Sequence, residues 1–290
     1  MKYCVYSDGE TSPYHVGIVD LDRGLVVPFD LGEADARNGI LSLITASTMP
    51  RLLHDGAVPV GEVRLKAPIP RPRRNIFCVG KNYFEHAHEF AGSGFDSSAA
   101  AGAVPKAPII FSKLPETVIA DGAPIRIDTK VSTAIDYEAE LAVIIGRGGR
   151  GISRASALDH VWGYTIVNDV TARDLQGKHS QWLLGKSQDG FCPMGPWAVS
   201  RDELDLGNAG IRCYVNGELR QSSNTSLLIF DVSLLIETIS AGITLLPGDI
   251  IATGTPAGVG IGFNPPKYLV AGDRVRIEID NIGTLENPVF

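Results

Sequence analysis

Runs of apolar residues four to eight long recur along this chain, separated by turn pairs, and only a few stretches carry the wider spacing of a helix. The strand-like runs are PIIFSK, ELAVIIG, VWGYTIVN, IRCYVNG, DIIATG and RVRIEID, with turns at Asp121-Gly122, Asn216-Gly217 and Gly272-Asp273. Helical spacing appears in SRASALDHV and LLIFDVSLLIETISAG. Residues 1–65 read as a small N-terminal unit. MKYCVYS and YHVGIVDLDRGLVVPF are strand-like about a turn at Asp22-Arg23-Gly24, and LGEADARNGILSLITASTMPRLLHDG predicts helical segments. The linker KAPIPRPRR follows, its prolines disfavouring helix and central strand alike. The expected architecture is β-rich mixed α/β with few helices, a small domain over 1–65 and a main domain over 66–290. Regular βα alternation, as in a doubly wound fold, is absent from the pattern.

Composition narrows the function more than the fold. The 290 residues carry a net charge of −7, with acids and bases interspersed and no long Lys/Arg run. Nucleic acid and anionic membrane surfaces are thereby disfavoured, whereas a small anionic substrate needs only a local cationic cluster. Cys4, Cys78, Cys192 and Cys213 are scattered without a CxxC pair, as expected of free thiols in a reducing cytosol. Neither a signal-peptide pattern nor a membrane-length apolar run is visible, and the expectation is a soluble, cytoplasmic protein. Residues 91–107, AGSGFDSSAAAGAVPKA, offer little apolar surface and read as a mobile loop.

The stretch STAIDYEAELAVIIG carries the most chemistry. Strand alternation puts Asp136, Glu138 and Glu140 on one face, which continues into apolar Ala142 and Ile144. Two like charges about 6 Å apart repel by roughly 3 kcal/mol at an effective dielectric near 20. Beside a core, such a row calls for protons, basic partners or a hard cation with oxygen ligands. A solvated edge strand is the competing explanation. Downstream, VWGYTIVNDVTARDLQ ends a strand at Asn168-Asp169. Asp169 is placed either to ligate a metal or to cap a short helix starting near Thr171. Arg173 and Lys186 suit a substrate carboxylate, or else plain salt bridges.

NYFEHAHEF sets Glu85, His86, His88 and Glu89 close together. On a helix, His86 and Glu89 share a face and form a general-base pair; on a strand, His86 and His88 would share one instead. GTPAGVGIG is glycine-rich but lacks the Lys-Ser/Thr of a phosphate loop and the setting of a dinucleotide site, and no GxSxG elbow is present.

From about Arg74 onward, FCVGKNYFEHAHE, DYEAELAVIIG, YTIVNDVTARDLQ, GKSQDGFCPMGPW, VNGELRQ and PGDIIATGTPAGVG follow one another in an order that resembles the fumarylacetoacetate hydrolase family. The resemblance implies a homodimer with that family's mixed β-roll. It also implies Mg²⁺ or Mn²⁺, with Ca²⁺ a third option, held by Glu138, Glu140 and Asp169. His86 and Glu89 become a water-activating pair on a lid segment spanning 84–105, and Lys186 the cation beside the metal. Arg173 and Gln176 become substrate contacts. Thr255 becomes the substrate-carboxylate ligand, with Thr253 a second candidate, and Asp136 falls at a hydration-shell position. Residues 1–65 resemble an accessory region of some members.

Hydrolytic cleavage of a carbon–carbon bond in a 2,4-dioxo acid is the activity this resemblance favours. Decarboxylation of oxaloacetate, isomerisation of a 2-hydroxy-dienedioate and dehydration of a keto-deoxy acid need only the same stabilised enolate, so fold-level likeness does not choose among them. A keto-acid binding protein without turnover is the non-enzymatic alternative, and the presence of both His86 and Glu89 speaks against it.

Overall fold

Every residue from Ala139 to Ile145 is buried, so this strand has no solvent face and must lie inside a sheet covered on both sides. The structure, a computed structural model, describes residues 1–9, 12–92 and 104–290. In chain order the strands are β1 (Lys2–Ser7), β2 (His15–Asp20), β3 (Leu25–Pro28), β4 (Val58–Pro59), β5 (Arg64–Lys66), β6 (Ile76–Gly80), β7 (Ile109–Lys113), β8 (Val118–Ile119), β9 (Ile135–Asp136), β10 (Ala139–Ile145), β11 (Val161–Asn168), β12 (Thr171–Ala172), β13 (Cys192–Ser200), β14 (Gly210–Val215), β15 (Glu218–Asn224), β16 (Ile250–Ala252), β17 (Arg274–Ile279) and β18 (Gly283–Pro288). The helices are α1 (Glu33–Ala36), α2 (Leu41–Ile44), α3 (Phe84–Gly92), α4 (Arg173–Lys178), α5 (Leu183–Lys186) and α6 (Val232–Ser240). The result is the sheet-rich mixed α/β architecture expected.

A large mixed sheet runs β4-β3-β2-β1-β13-β11-β10-β16-β6-β7, with β5 on β1 and β8 on β13; a four-stranded sheet runs β15-β14-β17-β18. The side chains of β10 alternate between two cores. Leu141, Val143 and Ile145 join one that includes β14 and β17, while Ala142 and Ile144 join another. This second core includes Tyr3, Val5, Val16, Ile40 and Leu43, so the N-terminal residues share it with Ile76, Met194 and Ile250. Pairing of β1 with β13 (Lys2 opposite Val199) carries the sheet across as well. The boundary expected near residue 65 therefore runs through a shared sheet and not through a gap.

Local expectations fared unevenly. Asn216 and Gly217 both take positive φ, as a two-residue hairpin between β14 and β15 requires. Helix α6 buries Val232, Leu235, Ile236 and Ile239 on one stripe, and Asp231 caps it by accepting the Leu234 N–H at 2.8 Å. By contrast, SRASALDHV forms a 3₁₀ helix over Arg154–His160, and residues 31–56 form only α1, α2 and a 3₁₀ turn. Tertiary contacts outweigh helical spacing in segments this short. The mobile segment expected over 84–105 begins as helix α3; its remainder from 93 to 103 lies outside the described residues.

Candidate metal centre

Antiparallel pairing creates the site. Ala139 lies opposite Asn168 in the β10–β11 ladder, which brings Glu138 and Asp169 together just beyond the last pair. The Asp169 N–H donates to the Glu138 carbonyl at 2.9 Å. Glu140, two residues along the same face, projects beside them. Glu138, Glu140 and Asp169 are all buried, and each offers an oxygen within 4.8 Å of the others. The expected carboxylate face thus exists and is not a solvated edge. Asp169 caps no helix: α4 starts after Ala172 without a side-chain cap.

Three cations surround this triad. Lys186 donates to Glu138 Oε2 at 2.8 Å and to Asp169 Oδ2 at 2.7 Å. Arg173 pairs through Nη1 with Glu138 Oε1 at 2.7 Å and through Nε with Asp136 Oδ2 at 2.8 Å. Lys113, wholly buried, donates to Asp169 Oδ1 at 2.6 Å and to the carbonyls of Val170 and Lys186. Lys113 does not stand out in the sequence, where it closes the strand-like run PIIFSK. Its one signal was a lysine closing an otherwise apolar run.

The two glutamates respond oppositely. Burial alone would raise Glu138, but the charges of Lys186 and then Arg173 outweigh it and hold the carboxyl down at about 2. Burial, then Asp169, then Glu138 push Glu140 well above the usual carboxylate range, although its Oε2 accepts the Gly254 N–H at 2.8 Å. Counting Asp136, four carboxylates face three cations. A hard divalent cation fits this all-oxygen, anionic donor set and relieves the crowding that raises Glu140.

His86 and Glu89 sit on α3, so the helical reading holds, and His88 points to solvent. His86 Nδ1 lies 3.2 Å from Glu89 Oε2, with the histidine buried. His86, Glu138, Glu140, Arg173, Gln176, Lys186 and Thr255 all line one small cavity of about 20 Å³, walled on its apolar side by Val79, Phe111 and Trp182. Phe111 and Trp182 meet edge-on at 5.1 Å, and the Lys186 ammonium lies 4.9 Å from the Phe111 ring centre. Gln176 accepts from Arg173 at 3.1 Å, and Thr255 Oγ1 accepts from Gln221 at 2.7 Å. Thr253 donates its hydroxyl to the Leu141 carbonyl, and Asp136 accepts from Arg173 and from backbone N–H groups of Gly260 and Ile261.

Fold and site together define a sheet-rich protein whose buried acidic pocket suits a hard cation and a small anion. The family model described as fumarylacetoacetate (FAA) hydrolase C-terminal matches residues 75–290, and the chain belongs to this family. It is 51% identical over 231 residues to oxaloacetate tautomerase YisK of Bacillus subtilis, covering 79% of this chain and 74% of that one. It is 47% identical over 230 residues to the mitochondrial oxaloacetate tautomerase fahd2 of Xenopus laevis, covering 78% and 68%. Among solved structures, fumarylacetoacetate hydrolase from Exiguobacterium antarcticum is similar at a TM-score of 0.83 and 40% identity, over 100% of this chain and 99% of that one. No helix among the described residues is long and apolar enough to cross a membrane.

Proposed function

We propose that this chain interconverts the keto and enol forms of a small 2-oxo dicarboxylic acid of the oxaloacetate type, with a divalent cation on Glu138, Glu140 and Asp169. The observation that carries the proposal is one cavity lined by Glu138 and Glu140 of the carboxylate triad and by buried His86, whose Nδ1 lies against Glu89. The names of the two relatives near half identity point to the same substrate class. Bound at the triad, the cation supplies Lewis acidity to the carboxylate and carbonyl oxygens of a 2-oxo acid.

The remaining work falls to side chains. In the tautomer whose Nδ1 donates to Glu89, Nε2 of His86 is the proton acceptor. It takes the C3 proton, the C–H electron pair becomes the C2–C3 double bond, and the carbonyl oxygen takes up the proton that the imidazolium gives back. No water is consumed. Lys186, buried beside Glu138 and Asp169, faces the oxygen where negative charge develops. Charge balance favours an anionic substrate. With Glu140 neutral the cluster is even; with Glu140 ionised and a divalent cation bound, it carries one positive charge in excess.

Hydrolysis of a 2,4-dioxo acid is the second reading, because the same pair can deprotonate water. The deciding assay follows decay of the ultraviolet enol band of oxaloacetate, beside cleavage of acetylpyruvate, each with Mg²⁺ or Mn²⁺ and with EDTA. Metal-dependent acceleration of enol decay is expected. Cleavage of acetylpyruvate with enol decay at the buffer rate would transfer the assignment to hydrolysis.

A further inference from the structure

The glycine-rich stretch GTPAGVGIG is no nucleotide motif, yet it faces the helix that carries His86, and its contacts give it a different task. Glu89 points one oxygen at His86 and with the other, Oε1, accepts the Gly258 N–H at 3.0 Å. A Cβ on Gly262 would stand 1.9 Å from that same Oε1 and 2.2 Å from its carbon, so the carboxylate occupies the space a side chain at 262 would take. Gly258 holds a φ of +98°, and its own Cβ would stand 1.9 Å from the Arg220 carbonyl oxygen. The turn is therefore pressed between β15 and α3 with no room for side chains at its contact points.

What fixes the turn is Asp136. Its Oδ1 accepts the Gly260 N–H at 2.6 Å, and its Oδ2 accepts the Ile261 N–H at 3.0 Å together with Arg173 Nε. The Tyr137 hydroxyl adds a bond to the Gly258 carbonyl at 2.9 Å. Arg173 continues to Glu138. A continuous run of polar contacts thus leads from His86 through Glu89, the turn, Asp136 and Arg173 to the carboxylate triad.

We propose that the turn Gly258–Gly262 is the seat on which Glu89 docks, and that Asp136, by pinning this turn, is the positioning residue that holds His86 over the triad. Asp136 then acts through the backbone of the seat and not on the cation. The base side and the metal side of the cavity share one support, so their spacing is set by Asp136 and not by α3 alone. This inference rests on the reading of His86 and Glu89 as the proton-transfer pair.

The test has two arms. In the first, Gly262→Ala puts a methyl where the Glu89 carboxylate sits while leaving the triad alone. kcat is expected to fall about 10²-fold, with the Mn²⁺ dissociation constant within about twofold of wild type. Glu89→Asp added to Gly262→Ala withdraws the carboxylate from the methyl and is expected to recover kcat about tenfold, whereas Glu89→Asp alone lowers it. Loss of kcat without that recovery, or no loss at all, overturns the seat. The second arm needs no substrate and uses amide hydrogen exchange. Glu89→Ala should strip protection from the Gly258 amide and spare Gly260 and Ile261; Asp136→Asn should loosen all three. An unchanged Gly258 amide in either variant overturns the proposal. Because exchange is read without turnover, a protein inactive on keto acids with these exchange patterns intact would refute the keto-acid reading and leave the seat standing.

Discussion

Replacing Lys113 with methionine keeps the aliphatic stem and removes a buried charge that holds Asp169 Oδ1 and the carbonyls of Val170 and Lys186. Breaking one partner of a buried ion pair costs about 3–5 kcal/mol. At about 2–4 °C per kcal/mol, the metal-free Tm of Lys113→Met should fall on the order of 10 °C. The effect of metal should run the other way. Without Lys113, the metal-free cluster is left with one negative charge in excess. A like charge within about 5 Å of any cation on Asp169 is also gone, a repulsion worth several kcal/mol at an effective dielectric near 20. Lys186 still holds Asp169 Oδ2, so the ligand keeps most of its orientation. Saturating Mn²⁺ should therefore raise the Tm of the variant by more than it raises that of wild type. Thermal melts of both proteins in EDTA and over a Mn²⁺ series give the answer. A variant that binds Mn²⁺ more weakly than wild type, and gains less from it, would refute the charge argument and make Lys113 mainly a holder of Asp169.

Other expectations follow from the same geometry. Glu138→Gln, Glu140→Gln and Asp169→Asn should each abolish metal-dependent turnover and weaken Mn²⁺ binding at least tenfold, read by titration of free Mn²⁺; wild-type behaviour in any two would dismiss the triad. Glu140 is raised in the fold by burial first, then by Asp169 and Glu138, so unfolding releases its proton. Metal-free stability should then fall as pH rises above 4.5, by up to about 1.4 kcal/mol per unit, and Glu140→Gln or bound Mn²⁺ should remove that slope. A metal-free melting curve that climbs with pH between 5 and 7, unaltered by Glu140→Gln, would contradict this. Glu138 works oppositely: its contribution is present above 4.5 and lost as pH falls toward about 2. His86→Ala should slow enolisation about 10²–10⁴-fold while Mn²⁺ binding persists, and an undiminished rate would remove His86 from the mechanism.

The sequence showed the triad because its signal is local: an acidic row ending in apolar residues, and an Asp at a strand end. It showed the His86–Glu89 pair only conditionally, since the spacing had to wait for a helix. Lys113 escaped because nothing in PIIFSK reveals that the end of β7 passes beneath Asp169. Asp136 was legible as part of the acidic face but not in its task, because its partners are backbone N–H groups of residues more than a hundred positions away. The same limit hid the union of β1 with β13, where register follows from long-range packing that periodicity does not encode. The unexpected 3₁₀ helix over Arg154–His160 shows the converse, a helical pattern whose pitch is fixed by what it packs against.

The four thiols supply a set of internal clocks. Cys4, Cys78, Cys192 and Cys213 are all free and buried, and burial pushes their acidity down, with the thiols of Cys4 and Cys192 raised to about 12. A thiol reagent can therefore label the native protein only when the fold opens around a given cysteine. They fall in three neighbourhoods: Cys4 in the N-terminal strands, Cys213 in the four-stranded sheet, and Cys78 and Cys192 in strands beside the metal centre. Labelling rates resolved by site would rank the opening of these regions without any added probe. If residues 1–65 open independently, Cys4 reacts first; if the shared sheet makes the chain one cooperative unit, all four react together, and cation at the triad slows them equally.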